Sequence, residues 1–257
     1  MSDLLNDIQS ELPSVSCSEG DGLRFLHLGD TPWVQGCMRL RRPYTLELDY
    51  VQRMMAWLLW HDVGDPQHLR SLHAVQLGLG AAALTKFCSR QVGCKTTAVE
   101  INEQVIAACR LWFALPPDDA QLQVLWGDAN EWVHYPDHAQ TVDALMVDLY
   151  DQEAQGPVLD SVDFYTGCRQ VLRDEGIATI NLFGHTQGYT QSLARIKLAF
   201  GKHNVLAFKP TREGNVVVLA MRQARNVDAA TLTLRCDVLK KNWKLPAAQW
   251  LSLLKPA

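Results

Sequence analysis

The chain has 257 residues, of which 47% are hydrophobic, and its formal net charge is −4 at pH 7. This length and apolar content allow one large packed domain with a small appendage. The negative charge excludes a general electrostatic attraction to nucleic acid or to anionic membranes. No apolar run approaches the roughly 18 residues of a membrane-spanning helix, so we expect neither a nucleic-acid partner nor a membrane.

The cysteines and the N-terminus bear on the cellular compartment. Seven cysteines show no paired framework, and the chain start has neither the basic residues nor the apolar stretch of an export signal. Both features fit a reducing environment, so we predict a cytoplasmic protein. Cys88 and Cys94 lack the spacing of a zinc site, and Pro136 interrupts a helical pairing of His134 with His138. We therefore predict no metal site.

The first sixty residues combine a polar leader, short strands and one helix. Residues 1–20 are polar and are expected to be loosely ordered. Alternating apolar residues over 23–48 predict short antiparallel strands that turn at 29–32. Helical spacing of apolar residues then predicts a helix over 50–60, which the segment 64–66 (Gly-Asp-Pro) ends.

From residue 75 onward, strands and helices alternate. The predicted strands span 75–79, 96–101, 123–126, 144–147, 176–182, 205–208 and 216–221. The predicted helices span 82–89, 103–112, 162–171 and 190–200, with one helical turn over 130–133. Such alternation implies a mostly parallel sheet with helices on both faces, and the last two strands form a closing hairpin.

These elements predict an α/β fold with a doubly wound, mostly parallel, seven-stranded sheet and a small N-terminal β appendage. The hairpin finish is typical of the S-adenosylmethionine methyltransferase architecture. We expect residues 1–62 to hold the leader, the short strands and the entry helix. Residues 63–225 would form a nucleoside-binding, Rossmann-like catalytic domain. Residues 226–257 would form a C-terminal tail, which the sequence places only as a helical or interaction segment.

A glycine turn follows the first strand of the larger sheet. Gly78 and Gly80 permit a tight strand-to-helix turn and let backbone amides approach a ligand closely. The usual third glycine is replaced by Ala82. Gln76 stands where an acidic residue would support a cofactor-binding role of the turn. Taken alone, the pattern fits packing and cofactor binding equally well.

Acidic residues end the next two predicted strands. Glu100 follows Gly80 by 20 residues, the interval at which an acid commonly receives ribose hydroxyls. Asp128 stands where a short loop could accept a proton from an adenine amino group, although capping of the next helical turn explains it as well. Ligands bind at the C-terminal ends of parallel strands, so these carboxylates should converge. They predict a nucleoside-type cofactor site.

A pair of carboxylates follows the fourth strand of that sheet. Asp148 and Asp151 flank Leu149 and Tyr150, and together they could receive an amine. One carboxylate would take the proton of the attacking nitrogen, and the other would hold a distal ammonium. If the amine is alkylated by a sulfonium compound, the leaving group is already activated. Proximity would then supply most of the catalysis. Turn-forming aspartates in a surface loop are the alternative interpretation; Tyr150 and His185 could line the acceptor pocket.

Four segments in the stretch from Gln52 to about Met221 resemble spermidine synthase, the polyamine aminopropyltransferase family. They are, in chain order, Leu77-Gly78-Leu79-Gly80, Ala98-Val99-Glu100-Ile101-Asn102, Gly127-Asp128-Ala129-Asn130-Glu131-Trp132 and Asp148-Leu149-Tyr150-Asp151. They are similar to the family's glycine-rich turn, its ribose-binding Val-Glu-Ile-Asp, its adenine-binding Gly-Asp-(Gly/Ala)-x-x-(Phe/Trp) and its catalytic Asp-Ser-Ser-Asp. The resemblance covers about two thirds of the chain and implies the fold of class I S-adenosylmethionine-dependent methyltransferases.

The resemblance implies a role for each matching residue. Asp148 would be the catalytic base. The residues that would bind the cofactor are Gly78, Gly80, Glu100, Asp128 and Ala129. Those that would bind the substrate are Gln52, Tyr150 and Asp151. The implied cofactor is decarboxylated S-adenosylmethionine or S-adenosylmethionine, without a metal, and the implied partner is a small-molecule amine. Relatives of this fold are often dimers, which leaves a homodimer open.

Three positions depart from the family's pattern. Ala81 replaces an Asp that holds the ammonium of decarboxylated S-adenosylmethionine. The family's substrate-binding tyrosine falls at Val51, and Gln152 replaces the proline after the second Asp. A hydrogen bond from a charged group contributes about 1.5–3 kcal/mol, so its loss costs roughly 10- to 150-fold in binding or rate. Ala81 also lessens the repulsion of an intact methionyl carboxylate.

The sequence therefore leaves three functional hypotheses. The first is a spermidine synthase-like transferase that moves an aminopropyl group from decarboxylated S-adenosylmethionine to a polyamine or diamine acceptor. The second, motivated by Ala81, is an S-adenosylmethionine-dependent methyltransferase. The third is a non-catalytic nucleoside-binding homologue that kept the fold.

Overall fold

Two β-sheets organise the computed structural model, which describes residues 12–31, 33–151, 156–184 and 188–257. The smaller sheet has three antiparallel strands, β1 (Val15–Gly20), β2 (Leu23–Leu28) and β3 (Gly36–Arg39). It forms the N-terminal β appendage that the alternating pattern predicts.

The larger sheet has a parallel part and an antiparallel edge. The parallel strands are β4 (His73–Leu77), β5 (Lys95–Glu100), β6 (Leu122–Trp126), β7 (Val142–Val147) and β8 (Leu172–Phe183). The antiparallel strands are β9 (Val205–Phe208), β10 (Asn215–Met221) and β11 (Leu254–Pro256). The order across the sheet is β11-β9-β10-β8-β7-β4-β5-β6.

The predicted α/β class and the closing hairpin of β9 and β10 are confirmed, but the sheet has eight strands instead of seven. The additional strand is β11, which pairs with β9 through only three residues. A three-residue segment that ends in proline carries no period-2 signal, so the sequence pattern does not reveal it.

Helices connect these strands. In chain order they are α1 (Asp49–Met54), α2 (Pro66–Ser71), α3 (Ala83–Phe87), α4 (Glu103–Trp112), α5 (Ala129–His134), α6 (Val162–Val171), α7 (Gly188–Phe200), α8 (Ala229–Trp243) and α9 (Ala247–Leu253). The helix predicted over 50–60 is α-helical only to Met54 and continues as a 3₁₀ segment, Met55–Trp60, whose six residues are all buried. The break predicted at 64–66 also starts α2, because Asp65 caps it by accepting a hydrogen bond from the backbone N–H of Gln67.

Both faces of the larger sheet are covered, which confirms the doubly wound arrangement. Neighbouring residues of one strand belong to different cores: Ala74 packs with the 3₁₀ segment and the C-terminal helices, whereas Val75 packs with α6 and α7. The C-terminal tail contributes Trp250 to the first of these cores, with an exposed fraction of 1%.

The expectation of a loosely ordered leader is wrong for residues 15–20, which form β1. All six of its residues pair with β2. Five of the six are exposed, so the strand is held by its backbone ladder and leaves no apolar pattern in the sequence. Residues 1–11 lie outside the described residues. Among the described helices, none combines the length and the apolarity needed to cross a membrane.

Candidate active site

The glycine turn brings the ends of β4 and β7 into close contact. Gly78 has φ +83°, and a Cβ placed on it would lie 2.2 Å from the backbone oxygen of Asp148. The backbone N–H of Asp148 donates to the oxygen of Leu77 over 3.0 Å. Gly80 has φ +50°, and its Cβ would lie 3.0 Å from the backbone oxygen of Gln35. Only glycine at position 78 allows this approach without displacement of the backbone that carries Asp148.

A buried glutamine braces this turn. The Gln76 side chain donates from Nε2 to the backbone oxygens of Gly78 (2.6 Å) and Leu79 (3.3 Å). Its Oε1 accepts from the backbone N–H of Thr85 over 3.0 Å. A carboxylate at this position has no donor for the two carbonyls. Gln76 therefore has a role that an acidic residue could not fill, which the sequence pattern alone did not indicate.

Glu100 lies at the end of β5, directly beside the glycine turn. Its Oε2 accepts from the backbone N–H of Leu79 over 2.7 Å, and its Oε1 accepts from that of Asn102 over 2.9 Å. Burial raises the pKa of Glu100, and the backbone donors partly offset this effect. Each carboxylate oxygen can accept a second hydrogen bond, so Glu100 is fixed in place and can still receive hydroxyl groups.

Asp128 caps α5. Its Oδ1 accepts from the backbone N–H of Asn130 over 2.6 Å, and Ala129 begins the helix as a buried residue. The backbone N–H of Gly127 donates to the oxygen of Glu100 over 3.0 Å, which ties the two strand ends together. The capping interpretation of Asp128 therefore holds, and the strand pairing brings it near Glu100.

The carboxylate of Asp148 is held by two neutral donors. Its Oδ1 accepts from Nδ2 of Asn181 over 2.9 Å, and its Oδ2 accepts from the hydroxyl of Tyr50 over 3.3 Å. Burial raises the pKa of Asp148, and these two donors lower it. Burial and the charge of Asp148 also raise the pKa of Tyr50. Asp148 thus sits in a partly desolvated, hydrogen-bonded environment that suits a general base.

Tyr150 and Asp151 continue the same loop in different directions. The Tyr150 hydroxyl donates to the backbone oxygen of Asn181 over 3.0 Å, and its ring packs edge-to-face on Phe183 with centroids 5.4 Å apart. Asp151 is exposed, and its backbone oxygen accepts from Nε2 of Gln35 over 3.0 Å. The predicted positions 152 and 185 lie outside the described residues.

A cavity of about 20 Å³ lies between the small sheet and the glycine turn, which is room for about one water molecule. The residues lining it include Gly80 and Asp148 of the predicted site, together with Tyr50, Val51 and Ala81. Gln52 takes another direction: its amide donates to the backbone oxygen of Leu46 over 2.8 Å.

The residue before Val51 is a tyrosine whose side chain reaches the site. The hydroxyl group that faces Asp148 belongs to Tyr50, at the second residue of α1, and Val51, where the resemblance places the family's tyrosine, lines the cavity beside it. Ala81 packs closely against strand β3, because a Cβ placed on Gly36 would lie 2.8 Å from the Ala81 Cβ. Strand β3 therefore fills the space beside Ala81.

Two buried polar residues of this site were missed. Asn181 interrupts the apolar run of β8, and Asn215 begins β10 and donates from Nδ2 to Oδ1 of Asn181 over 3.1 Å. A polar residue inside an otherwise apolar strand was the available signal. Among the described residues, no group of three or more His, Cys, Asp or Glu side chains could hold a metal ion.

No family model matches the chain, but curated relatives match nearly all of it. A polyamine aminopropyltransferase from Neisseria meningitidis serogroup A is 32% identical over 255 residues, which is 98% of this chain and 92% of the relative. One from Chromobacterium violaceum is 30% identical over 246 residues, covering 95% and 90%. The chain belongs to the polyamine aminopropyltransferase family. This membership makes it a transferase.

Solved structures agree in fold. A probable spermidine synthase from Corynebacterium glutamicum superposes with a TM-score of 0.66 at 15% identity, over 88% of this chain and 83% of the other. Human methyltransferase-like protein 13, solved in complex with SAH, gives 0.65 at 19% identity, over 77% and 93%. This aminopropyltransferase therefore has the fold shared by spermidine synthases and methyltransferases.

Proposed function

We propose that the chain transfers an aminopropyl group from decarboxylated S-adenosylmethionine to a diamine or polyamine. The observation that carries this proposal is the Asp148 carboxylate, held by Tyr50 and Asn181 at the glycine turn. The acceptor nitrogen would attack the aminopropyl carbon bonded to the sulfonium. The carbon–sulfur bond would break with its electron pair going to sulfur, which releases methylthioadenosine. Asp148 would take the proton from the new ammonium.

The nucleoside would bind across the ends of β4, β5 and β6. Gly78 and Gly80 carry no side chains, so the backbone of the turn would approach it closely. Glu100 would accept the ribose hydroxyls with the lone pairs that its two backbone donors leave available. Asp128 would accept a hydrogen bond from the adenine amino group with the oxygen that does not cap α5, and Ala129 would border the base.

The acceptor would approach from the loop that follows β7. Asp151 is exposed and would hold the distal ammonium of the amine, while Asp148 receives the reacting one. Tyr150 would shape the pocket through its fixed hydroxyl and ring. Gln52 would support the backbone before α1, because its side-chain amide donates a hydrogen bond to the backbone oxygen of Leu46.

Charge supports the decarboxylated donor. Glu47 and Asp148 line the same cavity beside Ala81. Arg39 balances Glu47 through an ion pair, whereas the side-chain donors to Asp148 are neutral. The site thus keeps negative charge, which attracts an ammonium and repels the carboxylate of intact S-adenosylmethionine. The negative charge of Asp148 would offset the loss of the acid at Ala81.

Two measurements test the proposal. Purified protein mixed with decarboxylated S-adenosylmethionine and putrescine should form methylthioadenosine; a panel of common diamines without any product would contradict aminopropyl transfer. Calorimetry should show tighter binding of the decarboxylated compound than of S-adenosylmethionine. The reverse preference, joined with methyl transfer to an acceptor, would favour the methyltransferase that Ala81 motivates. Binding without any turnover would favour a non-catalytic homologue.

A further inference from the structure

A row of polar side chains runs from Asp148 into the interior of the larger sheet. Nδ2 of Asn181 donates to Oδ1 of Asp148 over 2.9 Å, and Nδ2 of Asn215 donates to Oδ1 of Asn181 over 3.1 Å. Asn181 and Asn215 are 3% and 5% exposed. Neither amide has ready access to water, so each depends on its neighbours for hydrogen bonds.

The direction of these hydrogen bonds is coupled along the row. A carboxamide presents donors on one arm and an acceptor on the other. Because an ionised Asp148 can only accept, Asn181 must direct its NH2 group towards it and its oxygen towards Asn215. Rotation of the Asn181 amide by half a turn would place its oxygen against the carboxylate oxygen of Asp148. Two acceptors would then face each other without a hydrogen bond, unless the carboxyl group carried a proton. The orientation of Asn181 is therefore linked to the ionisation of Asp148.

Asn215 is the fixed end of this row. Its backbone N–H donates to the hydroxyl of Thr211 over 3.2 Å, and its backbone oxygen accepts from the N–H of Thr211 over 2.8 Å. Its strand partner is Phe183 of β8. These contacts hold the Asn215 side chain where its NH2 group faces the Asn181 oxygen.

We propose that Asn215 is a positioning residue, which acts through Asn181 to keep Asp148 ionised. Its effect on turnover rests on the proposed function of Asp148, whereas its effect on the ionisation of Asp148 does not. Burial raises the pKa of Asp148 and the Asn181 donor lowers it. If the row is weakened, the Asn181 donor offsets less of the effect of burial, and the pKa of Asp148 rises.

Other titratable groups also surround Asp148. Tyr50 from α1, Glu47 from the segment before it and Cys37 from β3 line the same cavity. Tyr150, on the loop after Asp148, interacts with its charge. Substitutions at positions 181 and 215 leave all of these groups in place, so a shift caused by such substitutions reports on the row.

The test is a carboxyl ¹³C NMR titration of the full chain, with the Asp148 signal assigned from Asp148→Asn. Asn215→Leu removes the donor without adding charge and should raise the Asp148 midpoint by about 0.5–1 pH unit, and Asn181→Leu by about 1–2 units. Adding Asn215→Leu to Asn181→Leu should then produce no further shift, because the two act in series.

A matched control is Asn204→Leu, since Asn204 likewise donates its amide to a carbonyl, that of Phe200 over 2.7 Å. It should leave the midpoint unchanged. The proposal is overturned if Asn215→Leu leaves the Asp148 midpoint unchanged. It is also overturned if Asn215→Leu shifts that midpoint equally in the parent chain and in Asn181→Leu. Asn215→Ala gives the same comparison if the leucine does not fit. The titration needs no substrate, so an inactive protein would refute the proposed function and leave this inference standing.

Discussion

The hydroxyl of Tyr50 donates to Oδ2 of Asp148 over 3.3 Å, although 98 residues separate the two in the chain. The contact joins the first helix to the loop after the fourth parallel-sheet strand in chain order. The N-terminal part of the chain thus completes the environment of the proposed base.

Tyr50→Phe should weaken catalysis by raising the pKa of Asp148. The hydroxyl lowers that pKa in the folded protein, so its removal leaves more of the base protonated at a given pH. The acidic limb of the kcat/KM profile should therefore move to higher pH, with roughly a 3- to 10-fold loss on that limb. Tyr135→Phe, at an exposed tyrosine that packs beside His138, serves as the control. An unmoved limb would show that Tyr50 does not act on the base.

Asp148→Asn should abolish turnover while nucleoside binding survives. The substitution keeps the shape of the side chain and removes its ability to take a proton, which we expect to lower kcat by roughly 10²- to 10⁴-fold. Steady-state assays and calorimetry measure the two effects separately. Asp163→Asn, at a highly exposed carboxylate beside His134, should retain full activity. Turnover by Asp148→Asn at the parent rate would exclude Asp148 as the base.

Gly78→Ala should destabilise the fold more than Gly93→Ala. Both glycines have nearly the same positive φ, +83° and +81°, but only Gly78 would bring its Cβ to 2.2 Å from the Asp148 oxygen. Gly93 has nothing within 4 Å of that position, so its substitution should cost about 1–2 kcal/mol from backbone strain alone. Gly78→Ala should cost at least about 2 kcal/mol more. Equal losses in urea denaturation would contradict the close contact.

Gln76→Glu should destabilise the protein in a pH-dependent way. The acid loses the amide donor to Gly78 and Leu79 and puts a charge in a site that is 2% exposed, at a cost of about 2–4 kcal/mol at neutral pH. Burial would raise the folded pKa of the new carboxyl above its unfolded value. The variant should therefore regain stability as the pH falls through that folded pKa. Urea denaturation at pH 5 and pH 8 measures this difference. Gln123→Glu, at an exposed position of β6, should show little of it.

The alternation of apolar strands with helices predicted the parallel sheet, most of whose strands are buried on both faces. Ala74 and Val75 are neighbours in β4 and belong to two different cores, so apolar residues point to both faces of this strand. Strand β1 gives no such signal because its stability comes from backbone pairing at an exposed edge. The predictable part of the fold is therefore the part that burial holds together.

The placement of the candidate site residues was predictable at the strand ends, and unpredictable on α1, where it depends on the rotation of the helix. Glu100 ends β5 and Asp148 directly follows β7, so their placement follows from topology. Tyr50 and Gln52 are two positions apart on α1, and each residue turns a helix by about 100°. Tyr50 therefore faces Asp148 while Gln52 faces Leu46. No local pattern determines which of the two points inward.

The short strand β11 ends the larger sheet with residues that do not favour the addition of a further strand. It lies beyond β9 at one border of the larger sheet, and its second and third residues, Lys255 and Pro256, are exposed. A charged side chain hinders the approach of a foreign strand, and a proline has no N–H to offer it. Lys255 and Pro256 thus make this border a poor template for a strand of another chain.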